Sequence, residues 1–256
     1  MMVLPYCEKG DLRNKPSTNF SIAKKINRLS MIAKGLLSIH DTEKVHKDFH
    51  SGNILFNGGF AFISDLGLCQ PANSEKQSVK KGIFGVLPYV APEVLRGFQY
   101  TKAADIYSFG IIMNEFISEE IPHSCIPHDH NLTVNICQGL RPKISEDTPK
   151  LLAGLIMKCW DAKPENRPTT KELYQILNKW DYECDDDDGE IYAQIQECKK
   201  IRENRSENRS DNEDEPTNIQ THPQAIYTSR LLNFQNLPEP VNSSDLSPFQ
   251  VDSGIV

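Results

Sequence analysis

Two acidic turns carry the side chains of this sequence that are best suited to chemistry. In the first turn, His46-Lys-Asp-Phe-His-Ser-Gly-Asn53, the carboxylate of Asp48 and the amide of Asn53 stand five residues apart. In the second turn, Asp65 follows a short apolar run. Carboxylate and amide oxygens are the ligands that a hard cation such as Mg²⁺ prefers. The alternative is that all three are ordinary turn residues that cap a hairpin.

Short strands must position both turns. Val45 and Ile54–Phe56 flank the first turn, and Phe60–Ile63 leads directly into Asp65. Between the last two strands, Asn57-Gly58-Gly59 predicts a tight hairpin turn, because Asn and Gly tolerate positive φ. The two acidic turns therefore flank one hairpin.

Helices are predicted around this hairpin. Apolar residues recur at spacings of three and four over residues 21–40, which predicts an amphipathic helix. Thr101 is the predicted N-terminal cap of a helix over 103–118. This helix is apolar almost all round, which predicts that it is buried. Asp105 in its first turn requires hydrogen-bond partners, because burying a carboxylate without them is costly. Shorter helices are predicted at 91–95, 132–138, 151–159 and 170–177.

Two stretches lack such patterns. Residues 68–90 predict a long irregular loop, and loops of that length inside a domain are usually functional or disordered. Globular character ends near residue 180. The remaining residues, 181–256, are acidic and polar, with four consecutive aspartates at 185–188. One helix is predicted there at 190–202, and disorder elsewhere.

Composition excludes several classes of function. The 256 residues carry a net charge of −7, so no basic field favours nucleic acid, and no apolar run approaches the ~20 residues of a membrane span. The opening segment also lacks the basic and apolar regions of a signal peptide. Seven cysteines without a CxxC pair indicate reduced thiols, which predicts a cytoplasmic or nuclear protein. Oligomeric state is left open.

The ordered motifs of this chain resemble those of eukaryotic protein kinases. The first turn resembles the catalytic loop, Asp65-Leu-Gly67 resembles the metal-binding DFG turn, and Ala91-Pro-Glu93 matches the APE motif. Asp105-Ile-Tyr-Ser-Phe-Gly110 resembles the buried central helix, and Asn166-Arg-Pro168 resembles a late Arg-Pro motif. The resemblance implies a protein-kinase-like α+β fold, in which residues 1–180 form the hinge and a mostly helical C-terminal lobe with short β-hairpins.

The resemblance also implies roles for individual residues, with ATP and Mg²⁺ as cofactors and protein hydroxyls as acceptors. Asp48 would orient the acceptor hydroxyl and take its proton, with His50 as a second catalytic candidate. Asn53 and Asp65 would bind Mg²⁺. Other residues would contact the nucleotide or support the loops. The further nucleotide contacts would be Leu4, Pro5, Cys7 and Leu55, and the supporting residues would be His46, Lys47, Glu93, Asp105 and Arg167.

Phosphorylation of the 68–90 loop is a further expectation. Ser74 and Ser78 are candidate acceptors for an upstream kinase, because a phosphate there could pair with Lys47, Lys80 or Lys81. The alternative is that both are solvated loop serines.

Several residues depart from the kinase pattern. Lys47 replaces the usual Arg, Leu66 replaces Phe, and the segment after Gly85 lacks the usual Thr. The sequence of residues 48–53 resembles the tyrosine-kinase-like branch more closely, and this resemblance favours Ser/Thr acceptors. Residues 222–232 are apolar enough to be a docking motif, although an inert tail is the alternative. They also resemble tails of expanded kinase families in arbuscular mycorrhizal fungi.

The largest departure concerns the start of the chain. The sequence contains no G-x-G-x-x-G loop and no V-A-I-K lysine strand, and it begins in a segment that resembles the hinge. We therefore expect upstream sequence beyond these residues. The alternative is a truncated, catalytically dead lobe that acts as an interaction module. Residues 123–130 include three His and one Cys, but their spacing matches no usual zinc pattern.

Overall fold

The computed structural model describes residues 7–8, 10–14, 20–72, 82–209 and 221–242, with side chains up to residue 203 in the last helix. This part of the chain is mostly helical, with six short strands. The helices are α1 Ile22–His40, α2 Pro92–Leu95, α3 Lys102–Ser118, α4 His130–Cys137, α5 Lys150–Cys159, α6 Thr170–Glu183 and α7 Glu190–Arg209. The strands are β1 Lys44–Val45, β2 Ile54–Asn57, β3 Phe60–Ile63, β4 Gln70–Pro71, β5 Ile83–Gly85 and β6 Arg230–Leu232.

Helix α3 lies at the centre of the core, as its apolar composition predicts. Residues 104–117 are all buried, and α1 and α5 pack against them. Gly110 allows α5 to approach closely, because a Cβ at this position would lie 2.9 Å from the Cβ of Cys159. The helix begins one residue before the predicted start, and Thr101 occupies its N-cap without a side-chain hydrogen bond.

Helix α1 packs against α6, β3 and α3. Its predicted apolar face is buried against α6 and β3, and the Ser21 side chain caps its first turn by accepting from Lys24 N. The buried Lys25 donates to Glu119 Oε1 at 2.6 Å, which ties α1 to the end of α3. Burial lowers the pKa of this lysine, although its hydrogen bond to Glu119 opposes the shift.

The strands form three antiparallel pairs. In the β2–β3 hairpin, Asn57 pairs with Phe60 across Gly58 and Gly59, whose φ angles are +53° and +92°. Only positive-φ residues close such a two-residue turn, so the hairpin predicted from Asn-Gly-Gly is confirmed. Strand β1 pairs with β4, and β5 pairs with β6. Two stretches of the predicted irregular loop thus contain strands, and residues 73–81 between them lie outside the described part.

The C-terminal segment differs from the predicted disordered tail. Helix α7 extends to Arg209, beyond the predicted 190–202, and residues 221–242 lie along the domain with β6 inside it. Composition averaged over the tail hid a short apolar sequence. Side chains of this sequence pack on the core: Tyr227, Leu232, Phe234 and Leu237. No helix in the described part of the chain is both long and apolar enough to cross a membrane.

Candidate active site

The first acidic turn connects β1 to β2. After Val45 the chain turns at Lys47, whose φ is +71°, and a short 3-10 turn over Ser51–Asn53 leads into β2. The His46 ring is fully buried, and its Nε2 donates to the Ser64 carbonyl at 3.0 Å. This hydrogen bond connects the first acidic turn to the residue that precedes Asp65.

Asp105 holds the first turn in place from the start of α3. It is fully buried, and its carboxylate accepts hydrogen bonds from His46 N at 2.7 Å and Lys47 N at 3.1 Å. It also accepts from His40 Nε2 at 2.9 Å. These are the partners that the sequence required for a buried carboxylate. The two backbone contacts stabilise the positive-φ conformation at Lys47.

Asp48 is buried beside His50. His50 Nε2 lies 3.6 Å from Asp48 Oδ1, and His50 Nδ1 lies 3.1 Å from Nη2 of Arg13. A guanidinium only donates, so Nδ1 accepts and the ring proton resides on Nε2, facing Asp48. Burial raises the pKa of the Asp48 carboxyl, but the neighbouring His50, Ser229 and His46 side chains together outweigh the effect of burial. Its pKa therefore lies below the usual value, and the group is an ionised base at neutral pH.

Asn53 and Asp65 lie on adjacent strand ends. Ile54 pairs with Ile63, and both the amide and the hydroxyl of Ser64 donate to the Asn53 carbonyl, at 2.9 and 3.1 Å. Asn53 Nδ2 donates to the Asp48 carbonyl at 2.9 Å, which leaves its side-chain oxygen as the group that can bind a cation. Asp65 adopts a left-handed conformation and is exposed. One amide oxygen and one carboxylate fit a hard, water-retaining cation such as Mg²⁺.

A bidentate ion pair anchors the segment that follows the second turn. Arg167 Nη1 and Nη2 donate to the two carboxylate oxygens of Glu93 at 2.7 and 2.8 Å. Arg167 also donates to the carbonyls of Ala103 and Asp161, both at 2.9 Å. Its side chain is completely buried, so one residue joins α2, α3 and the loop before α6.

A second buried network supports the first turn from α3. Tyr89 donates to Glu115 Oε2 at 2.8 Å and contacts the Ser51 hydroxyl at 3.0 Å. Arg13 Nε donates to the same hydroxyl at 3.2 Å. Burial raises the pKa of Glu115 to about 7, although hydrogen bonds from Tyr89 and Ser51 oppose the shift. Glu115 is thus a buried carboxylate whose pKa lies near neutral pH.

The raised pKa of Glu115 predicts a pH-dependent stability. The group has a pKa of about 7 when folded against an ordinary 4.5, so the folded state binds its proton more tightly. Its contribution to stability is complete below pH 4.5 and is lost as the pH rises through 7. Glu115→Gln removes this loss, so between pH 4.5 and 8 the variant should gain roughly 3 kcal/mol relative to the native protein. Urea unfolding of both proteins at several pH values measures the difference. A difference that does not change with pH would contradict the assignment.

The structure brings most of the predicted site residues together. Asp48, His50 and Asn53 share the first turn, and Asp65 directly follows Ser64, which hydrogen-bonds with Asn53. The supporting residues contact these turns or one another as described above. Lys47 Nζ donates to Gln70 Oε1 at 2.6 Å, on the strand paired with β1.

The predicted nucleotide contacts and phosphorylation sites are placed less completely. Leu55 lies in β2 and bridges to Asp11, and the Cys7 carbonyl accepts from Gly10 N at 3.0 Å. Leu4, Pro5, Ser74 and Ser78 lie outside the described residues. Within the described part no cluster of three metal-binding side chains occurs, and both ring nitrogens of His128 contact backbone atoms instead.

Sequence reasoning missed several residues of the site. Arg13, His40, Tyr89 and Ser229 reach it from distant parts of the chain, and no local pattern marks them. Glu115 could have been found, because a carboxylate inside an otherwise apolar helix is the same signal that drew attention to Asp105.

Comparisons with known proteins show the family to which this chain is similar. Residues 1–177 match the family model described as protein tyrosine and serine/threonine kinase. A dual specificity protein kinase of Dictyostelium discoideum is 34% identical over 185 residues, which is 70% of this chain and 25% of that protein. A putative serine/threonine-protein kinase/receptor of Acanthamoeba polyphaga mimivirus is 33% identical over 183 residues, covering 69% and 11%. A probable LIM domain-containing serine/threonine-protein kinase of Dictyostelium discoideum is 31% identical over 168 residues, covering 65% and 25%. The chain thus spans a quarter or less of the length of these relatives.

Proposed function

The chain belongs to the protein tyrosine and serine/threonine kinase family, and from this membership we propose that it transfers the γ-phosphate of ATP to protein hydroxyls. Its helical architecture with short hairpins fits a protein-kinase-like fold. The observation that supports the proposal is the ionised, buried Asp48 in the same turn as Asn53, whose strand end pairs with the one that leads to Asp65. This combination supplies a base for an acceptor and a cation site for phosphates.

In this proposal each side chain of the first turn has a separate role. Asp48 orients the acceptor hydroxyl and receives its proton, and its low pKa keeps it ionised for that purpose. His50 points its Nε2 proton towards Asp48, 3.6 Å from Oδ1, and so favours the ionised carboxylate. Asp105 and the Tyr89–Glu115 pair support the first turn from the side of α3.

Asn53 and Asp65 would hold Mg²⁺, which neutralises charge on the ATP phosphates. The fit rests on the donor set, one amide oxygen and one carboxylate on neighbouring strand ends.

Serine and threonine are the proposed acceptors, with signalling as the setting. Two of the relatives above are named serine/threonine kinases and one is named dual specificity. The sequence of residues 48–53 resembles the tyrosine-kinase-like branch, which also supports serine and threonine as acceptors. All seven cysteines are free thiols, which supports the proposed cytoplasmic or nuclear location.

A thermal-shift titration tests whether the site binds Mg²⁺–ATP. For a ligand at 100 times its Kd, binding stabilises a protein by about 2.7 kcal/mol, which corresponds to a Tm rise of roughly 5–10 °C for this size. We expect that rise in the native protein and its loss in Asp65→Asn. Asp41→Asn, which changes an exposed aspartate at the end of α1, is the matched control and should keep it. Equal shifts in native protein and Asp65→Asn would exclude Asp65 as a metal ligand, and no shift in either would favour a non-catalytic interaction module.

A further inference from the structure

The C-terminal segment 221–242 crosses the face of the domain that contains Asp48. Its strand β6 adds to β5, which lies between the second acidic turn and α2. The register is antiparallel and pairs Ile83 with Leu232, Phe84 with Leu231 and Gly85 with Arg230. Addition of a strand to an exposed edge is a common way for a domain to bind a peptide.

Contacts on the N-terminal side of β6 fix this segment to the domain. Ile226 N donates to Nδ1 of His128 at 3.1 Å, and the other ring nitrogen of His128 donates to the His123 carbonyl at 3.2 Å. Tyr227 donates through its hydroxyl to the Pro122 carbonyl at 2.8 Å. The carbonyl of Tyr227 accepts from Arg13, the residue that also contacts His50.

Contacts on the C-terminal side fix it as well. Val241 N donates to the Cys137 carbonyl at 2.9 Å. The Asn242 side chain accepts from Ala162 N at 2.8 Å and donates to Asp161 at 3.1 Å. The segment is therefore held on both sides of β6, at the lobe that carries the catalytic turn.

This docking brings Ser229 to Asp48. The backbone of Gly85 lies beside the carboxylate, since a Cβ at Gly85 would be 3.9 Å from Asp48 Oδ1. Gly85 pairs with Arg230, so Ser229 lies one residue from the position that faces Gly85. The Ser229 side chain is close enough to the Asp48 carboxyl group to help lower its pKa. Ser229 is an exposed residue, as a phosphate acceptor must be.

We propose that Ser229 is an intramolecular phosphoacceptor, which the pairing of β6 with β5 delivers to Asp48. This inference rests on the proposed kinase function. In the step, Ser229 Oγ bonds to the γ-phosphorus of ATP and gives its proton to Asp48. The bond from that phosphorus to the bridging oxygen breaks, and ADP leaves with the electron pair. Products are phosphoserine 229 and ADP.

A purely structural brace would not need this hydroxyl. The pairing of β6 and the burial of Leu232, which is 2% exposed, are sufficient to hold the segment. A base, by contrast, must lie within hydrogen-bond reach of the proton that it takes. The register brings Ser229 close to this base, because Arg230 pairs with Gly85 and a Cβ at Gly85 would lie 3.9 Å from Asp48 Oδ1. Arg230 and the two leucines of β6 follow the acceptor in sequence.

Hydrogen exchange without nucleotide tests the docking, whether or not the protein is active. In the native protein the β5 amides should exchange slowly. Leu232→Asp places a charge in a buried position and should accelerate that exchange at least 10-fold, whereas the core of α3 stays protected. Leu231→Asp is the matched control, because this neighbouring side chain is 56% exposed. Unchanged β5 exchange in Leu232→Asp would overturn the docking.

Phosphorylation-site mapping tests the acceptor. After incubation with Mg²⁺–ATP and an added acceptor protein, phosphate should appear on Ser229 at a fractional rate independent of protein concentration. Ser229→Ala should remove this phosphate, and Thr228→Ala should retain it. Leu232→Asp should lower Ser229 phosphorylation at least 10-fold and raise phosphorylation of the added acceptor, because the C-terminal segment then no longer occupies the edge of β5 beside Asp48.

The outcomes separate the two proposals. Phosphate on the added acceptor but none on Ser229 would overturn this inference and leave the kinase function standing. Phosphate on Ser229 that rises with protein concentration would also overturn it, because transfer would then occur between molecules. No transfer to either acceptor would overturn both the function and Ser229 as its product.

Discussion

Asp48→Asn should lower kcat for phosphate transfer by about 10²–10⁴-fold, the range over which a positioned general base contributes. Asn keeps the size of the side chain and its place beside His50, but it cannot accept the proton of the acceptor hydroxyl. The carboxylate is buried and ionised in the native protein, so the change removes a working base. The substitution does not alter Asn53 or Asp65, so the Tm rise with Mg²⁺–ATP should persist.

Steady-state kinetics of the protein expressed from its complete coding sequence measures this effect. Asp41→Asn serves as the control, because it makes the same chemical change at an exposed helix end. Loss of both kcat and the Mg²⁺–ATP thermal shift in Asp48→Asn would indicate damage to the site as a whole. Native kcat in that variant would show that Asp48 is not the base.

Arg167→Met should lower the free energy of unfolding by about 3–5 kcal/mol, because it leaves the partner of a buried charge pair behind. Glu93 would lose two hydrogen bonds, and the carbonyls of Ala103 and Asp161 would each lose a donor. Since total stability of a domain is about 5–15 kcal/mol, this one change removes a large fraction of it. It also releases the segment that carries β5 and Tyr89.

Urea unfolding with Arg96→Met as the comparison measures this cost. Arg96 pairs with Glu239, whose side chain is 79% exposed, so its loss should cost at most about 1 kcal/mol. The double variant Glu93→Leu, Arg167→Met should recover part of the loss, since it leaves no unpaired charge in the core. Equal costs for Arg167→Met and Arg96→Met would mean that the buried pair has no special weight.

The sequence predicts the parts of this fold that depend on short-range patterns. The stripe over 21–40 predicts α1, and the Asn-Gly-Gly turn predicts the β2–β3 hairpin. The apolar stretch that becomes α3 predicts a buried helix, and the unusual Asp105 within it predicts a carboxylate with partners. Each of these signals lies within one turn or one helix, where spacing alone decides which face is buried.

The remaining features depend on contacts between residues far apart in the chain. The Asp48 carboxylate lies near Ser229, and Arg13 hydrogen-bonds with both His50 and Tyr227. Nothing in the spacing near any of these residues encodes such a contact. Residues 222–232 contain enough apolar side chains to suggest docking, but their partner, the edge of β5, is visible only in three dimensions. Composition averaged over 76 residues instead predicts disorder.

Transfer of ³²P from γ-labelled ATP to a serine- and threonine-containing acceptor protein tests the kinase assignment most directly. The protein from its complete coding sequence, with Mg²⁺, should place label on serine or threonine of the acceptor. Label should fall by at least about 100-fold in Asp48→Asn, in line with the loss of a general base. Absence of label with the native protein, or equal label with Asp48→Asn, would contradict a phosphate-transfer site built on Asp48, Asn53 and Asp65.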